Sequence, residues 1–136
     1  MAESIEDQLG RVPLFEGLSK HQLSSIAGLT TRLHEDEGTV VAREGAPGNE
    51  FIVVIEGELE VRKGDEAIAT ICAGDYVGEI SLLDNRPRTA TVVAKTPVIV
   101  EVISRPEFAA LLADAPEVAQ EIMARMAQRL SDNAES

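Results

Sequence analysis

Cysteine is almost missing from this chain. Cys72 is the only one in 136 residues, so no intramolecular disulfide can form and nothing points to a secreted, cross-linked scaffold. There is no tryptophan, and three phenylalanines and one tyrosine are the only aromatics, so the core is expected to be aliphatic. Histidine is scarce too. His21 and His34 both precede the main strand region and cannot furnish the converging ligands of a metal-dependent barrel enzyme. No Ser-His-Asp set, P-loop or dinucleotide glycine pattern occurs, so the chain reads as a non-enzyme. Positive charge is short: 12 Lys and Arg face 24 Asp and Glu, for a formal net charge of -12. That balance excludes nucleic acid and anionic membrane surfaces as partners. It does not exclude a small anion, because one local cationic pocket outweighs a distant, screened field. Met1-Ala2-Glu3-Ser4 lacks the basic and apolar blocks of a signal peptide, and no apolar run approaches a membrane span. The expected location is the cytoplasm.

Length fits one domain. Ser4 to Gly10 reads as a short acidic helix with Ile5 and Leu9 on one face, anchored by Val12-Pro13-Leu14-Phe15. Ser19-Lys20-His21-Gln22 is a capping box opening a helix whose Leu23, Ile26 and Ala27 face inward, and Gly28 weakens its end. Both histidines are expected on exposed or partly covered positions. From Thr31 the pattern changes to period two. Strands are predicted over Thr31–His34, Thr39–Arg43, Phe51–Glu56, Glu58–Lys63, Ala67–Cys72, Thr89–Ala94 and Val98–Ser104. Turn residues separate them, at Gly45-Ala46-Pro47-Gly48-Asn49, Gly57, Gly64-Asp65 and Gly74-Asp75 among others. Val53, Ile55, Leu59 and Val61 are predicted core, or in part the wall of an apolar pocket, and Cys72 a buried strand end. Ser104-Arg105-Pro106-Glu107 restarts helix with a second capping box. Phe108, Leu111 and Leu112 form its apolar face. Asp114-Ala115-Pro116 breaks it before a last helix over Glu117–Leu130.

The stretch from Gly78 to Val92 carries the chemistry. A short helix opening at Gly78 leaves backbone N–H groups at its positive end for an anion such as phosphate. Asp84-Asn85-Arg86-Pro87 is turn chemistry, and Arg88 just beyond it can return to the same anion with a charge-assisted contact. Glu79 would repel a phosphate but suits a hydroxyl on the same ligand, such as a ribose. The plainer alternative is a surface ion pair between Arg88 and Glu79 beside an ordinary turn.

Gly78-Glu79-Ile80-Ser81-Leu82-Leu83, a short spacer, then Pro87-Arg88-Thr89-Ala90-Thr91-Val92 resembles the phosphate-binding cassette of cyclic nucleotide-binding domains, of the cyclic-AMP receptor and protein kinase A regulatory subunit type. Gly45, Gly48, Phe51 and Gly57 also fall where that family places glycines and an aromatic, and the likeness covers roughly Leu14 to Leu130. It implies a mainly β fold, a β-barrel or jelly roll with flanking helices. N-terminal helices would occupy 1–30, the barrel 31–104 with its cassette at 78–92, and C-terminal helices with a lid 105–133, as a single domain over 1–136. It further implies that Arg88 pairs with the cyclic phosphate and Glu79 with the ribose 2′-hydroxyl. Backbone amides of Gly78, Glu79, Ile80 and Ser81, and near Ala90, complete the cradle. The ligand would be cAMP or cGMP, with no cofactor. A hydroxyl at Thr89 can reach a guanine amino group, yet cAMP binders also tolerate Thr, and cAMP is the favoured ligand.

Two departures from the family are informative. No aromatic follows Phe108, so base capping would fall to Arg129 or to aliphatic side chains. Val77 stands where the family often has phenylalanine. Arg125 and Arg129 on the edge of an apolar stripe also admit plainer readings, as snorkelling side chains or, for Arg125, a partner of Glu121. Signalling is expected by inward movement of the last helix, driven through Leu82 and Leu83. The chain ends at Ser136, too soon for a helix-turn-helix, so the output is expected through an unidentified protein effector, or through further domains of a longer protein. A module of the same fold without a ligand, acting through a protein partner, is the alternative.

Overall fold

The computed structural model describes residues 4–46, 50–77, 88–114, 116, 117, 119–121, 123, 124, 127 and 128, without the side chain of residue 112. Helix α1 (Ile5–Gly10) begins where the Ser4 hydroxyl accepts the Asp7 N–H at 3.1 Å. Its Leu9 is buried, whereas Ile5, at the first helical position, is exposed rather than inward-facing. A 3-10 turn over Pro13–Phe15 leads to α2 (Lys20–Ala27). The predicted capping box is present: Gln22 N–H donates to Ser19 Oγ at 3.1 Å and Ser19 N–H to Gln22 Oε1 at 2.9 Å. Gly28 is its C-cap.

The described residues then form eight strands: β1 (Thr31–Glu35), β2 (Val40–Ala42), β3 (Glu50–Glu56), β4 (Glu58–Lys63), β5 (Glu66–Cys72), β6 (Tyr76–Val77), β7 (Thr91–Ala94) and β8 (Val98–Ser104). They form two antiparallel sheets, ordered β1-β8-β3-β6 and β2-β7-β4-β5. Alternation of side chains along β3 and β8 builds the layers. Ile52, Val54, Val100 and Val102 point between the sheets to meet Leu59, Ile71, Val92 and Ala94, an aliphatic core. Phe51, Val53 and Ile103 point the other way, toward the helices, and join Leu9, Phe15, Ile26, Phe108 and Leu111. The few aromatics therefore collect on one side: Phe15, Phe51, Tyr76 and Phe108 all lie in the helix-facing core, with the Phe51 and Tyr76 rings 5.1 Å apart.

The fold is thus mainly β with flanking helices, as expected from the sequence, and several details differ. Cys72 is exposed, because Ile71 takes the inward position at the end of β5 and its neighbour must face out. Ile55 and Val61 are only half-buried, packed at the margins of the two cores. The strand predicted from Thr89 begins at Thr91, and the two-residue β6 was too short to leave a periodic signal.

Helix α3 (Arg105–Asp114) starts with the expected box: Ser104 N–H donates to Glu107 Oε1 at 2.8 Å and Glu107 N–H to Ser104 Oγ at 3.3 Å. Residues 116, 117, 119–121, 123, 124, 127 and 128 are helical as well. Ala119 is fully buried and Met123 packs beside it on the helix-facing core. Among the described residues no helix is long and apolar enough to cross a membrane.

One charge sits inside this layer. Glu101 of β8 is 1% exposed. It accepts from Thr30 Oγ1 at 2.6 Å and forms an ion pair with Arg32, whose Nη1 donates to Gln8 Oε1 at 2.6 Å. This network ties α1 and the end of α2 to the first sheet.

Candidate functional site

Arg88 is placed by its backbone before its side chain matters. Arg88 N–H donates to Ala46 O and Gly45 N–H to Arg88 O, both at 2.8 Å, a two-bond clamp onto the loop after β2. Gly45 has φ +84°, in the left-handed region where glycine is strain-free, which lets the loop present its N–H to Arg88. The same loop is fastened again when Glu44 N–H donates to Thr91 Oγ1 at 3.0 Å, and Glu44 Oε1 accepts Gly64 N–H at 3.1 Å.

From that anchor the half-buried Arg88 side chain reaches β3, where Nη2 donates to the Glu50 carbonyl at 2.8 Å. Burial lowers the guanidinium pKa from its ordinary value, and the charge of Glu50 raises it in part. The physical meaning is a cation that has lost hydration and, among the described residues, has a main-chain oxygen and one nearby carboxylate in exchange. Such a group gains from a charged acceptor. Beside it is an open cavity of about 220 Å³, lined by Val40, Val41, Ala42, Arg43, Ala46, Glu50 and Arg88. A lining that joins aliphatic Val40, Val41 and Ala42 to the guanidinium groups of Arg43 and Arg88 suits an anion carried on an organic body.

Of the residues singled out in the sequence, the structure describes Arg88, Thr89 and Ala90. Arg88 lines the cavity, Thr89 is exposed beside it, and Ala90 is half-buried. Gly78, Glu79, Ile80, Ser81 and Arg129 lie outside the described residues. Arg43 and Glu50 line the same cavity and were not foreseen. Glu50 is 38 residues from Arg88 in sequence, at the first position of a strand, where a carboxylate gives no signal beyond solubility. Both histidines are exposed, as expected. Among the described residues no group of three or more His, Cys, Asp or Glu could hold a metal ion.

Comparison with known proteins bears on family and fold. The family model for the cyclic nucleotide-binding domain matches residues 33–115. A cAMP-dependent protein kinase regulatory subunit from Schizosaccharomyces pombe is 37% identical over 111 residues, 81% of this chain. The chain spans only 27% of that relative's length. Among solved structures, the N-terminal domain of a transcriptional regulator from Streptomyces coelicolor is 30% identical with a TM-score of 0.80, covering 95% of this chain and 94% of that one. A cyclic nucleotide-binding domain from Methylobacillus flagellatus superposes with a TM-score of 0.83 at 26% identity, covering 96% of this chain and 76% of that one.

Proposed function

The chain belongs to the cyclic nucleotide-binding domain family, and from that premise we propose that it binds a cyclic nucleotide beside Arg88, cAMP ahead of cGMP. The observation that carries the reading is the clamped, half-buried Arg88 guanidinium at the rim of an open cavity. Arg88 holds the cyclic phosphate. Gly78, Glu79, Ile80, Ser81 and Ala90 complete the cassette by the family pattern, Glu79 taking the ribose hydroxyl and Arg129 the base. The preference for cAMP is supported by the name of the yeast relative, and Thr89 stands where it could moderate it.

The protein acts as a cytoplasmic sensor rather than an enzyme, and its output is the C-terminal helix, read by a protein effector. A physical route supports this. The Glu50 carbonyl that Arg88 occupies belongs to the residue paired with Ser104 across β3 and β8, and Ser104 caps α3. Ligand that draws Arg88 toward itself weakens the hold on Glu50 and changes the strand end from which α3 departs. The helix shifts only to the extent that ligand binds one arrangement better than the other.

Thermal unfolding with saturating cAMP or cGMP, beside Arg88→Ala, tests the reading. Ligand at one hundred times its dissociation constant adds about 2.7 kcal/mol, a rise of roughly 5–11 °C for a domain of this size. A rise with cAMP that vanishes in Arg88→Ala is expected. A rise that survives the substitution would put the site elsewhere.

A further inference from the structure

The described side chains around the cavity carry an unusual balance. Arg43 and Arg88 bring two guanidinium groups, and Glu50 brings one carboxylate, which leaves one net positive charge. Glu50 contributes twice, through different atoms. Its main-chain carbonyl fixes Arg88 Nη2 at 2.8 Å, while its carboxylate lies near enough to act on the same guanidinium. The carbonyl contact to Arg88 is kept when the carboxylate is replaced by a neutral amide. A carboxylate beside an anion site repels the anion, and repels it more strongly the more negative charge the anion carries.

We infer that the Glu50 carboxylate is a charge filter beside Arg88, which disfavours doubly charged phosphate monoesters relative to singly charged phosphate diesters. This rests on the nucleotide-binding reading above. A cyclic phosphate is a diester with one negative charge. A 5′-nucleotide monophosphate carries close to two at neutral pH, since its second ionisation falls near pH 6. The Glu50 carboxylate repels both ligands, the doubly charged one more, and repulsion in a partly desolvated site is felt more than in water. The overall charge of -12 repels both ligands in proportion to their charge but is screened over about 10 Å, so discrimination must come from groups at the rim. Glu50 is such a group.

The test is calorimetric titration of the whole chain with cAMP and with 5′-AMP at about pH 8, where the monoester is a dianion. Glu50→Gln keeps the carbonyl and removes the charge. It is expected to strengthen 5′-AMP binding about fivefold more than cAMP binding, the scale of a partly exposed charge interaction. Arg43→Gln removes a cation and should move the ratio the other way, weakening 5′-AMP more than cAMP. Comparing variants that all retain Glu79 cancels its contribution. If wild type binds cAMP yet Glu50→Gln changes both affinities equally, the charge-filter inference is overturned while the nucleotide site stands. If wild type binds neither ligand, the nucleotide reading fails and this inference with it.

Discussion

At the residue scale, Arg88 and Gly57 show two different kinds of requirement. Arg88 needs a planar fork. One Nη is engaged by the Glu50 carbonyl, and the planar fork has further N–H groups to direct at a ligand oxygen. Arg88→Lys keeps the charge but cannot serve both acceptors with fixed geometry. It should weaken cAMP binding by about 10- to 100-fold, the value of a charge-assisted hydrogen bond, with no loss of thermal stability in the unliganded protein. An unchanged dissociation constant would mean that charge alone is recognised. Gly57 needs empty space. It sits between β3 and β4 at φ +90°, and a Cβ built there would stand 2.3 Å from the Pro97 carbonyl oxygen. Neither the angle nor the contact can relax without moving the turn before β8. Gly57→Ala is expected to cost about 2–4 kcal/mol, read as a lower urea midpoint at unchanged slope. A loss under about 0.5 kcal/mol, typical of a surface substitution, would show that the turn yields.

At the scale of elements, the buried Glu101 joins three pieces through polar contacts. Its ion pair with Arg32 faces the helical layer, and Arg32 carries the connection to Gln8 on α1. Removing one partner of a buried pair leaves an uncompensated charge, so Arg32→Met should cost about 3 kcal/mol or somewhat less, given that Arg32 is 21% exposed. Arg32→Met with Glu101→Leu should recover most of that, because two apolar groups no longer leave a charge unpaired. Non-additivity in urea unfolding checks it, and strictly additive costs would mean that the pair is not coupled. Glu101 also marks the limit of what the sequence told. Val98–Ser104 was legible as a strand from its β-branched run, and β4 and β8 match their predicted bounds. Nothing in the run announces that Glu101 faces inward, because its partners Thr30 and Arg32 are 71 and 69 residues away. Cys72 was misassigned for a related reason: apolar neighbours do not say which face of an edge strand is covered. Arg88 was legible because its neighbours form a local pattern around a turn. Glu50 and Arg43 were not, because only the closing of β2 onto β7 and of β3 onto β8 brings them to the cavity.

For the whole molecule, the conflict is between a net charge of -12 and a negatively charged ligand. Which of the two fields a diffusing nucleotide feels depends on the distance over which charge is screened. At about 10 mM salt the screening length is near 30 Å, beyond the roughly 14 Å radius of gyration expected of a domain of this size. The ligand then approaches the full acidic envelope and is slowed. At about 150 mM the length shrinks to near 8 Å, so the ligand approaching the rim responds mainly to Arg43, Glu50 and Arg88. Association of cAMP should therefore quicken as salt rises through this range, on the order of twofold, opposite to the slowing seen when oppositely charged partners associate. Dissociation, which breaks a contact already inside the cavity, should change less. Stopped-flow mixing at several salt concentrations separates the two rates. If association slows instead, the cationic rim dominates even at long range. Charge selection would then act during approach rather than only after the ligand has entered.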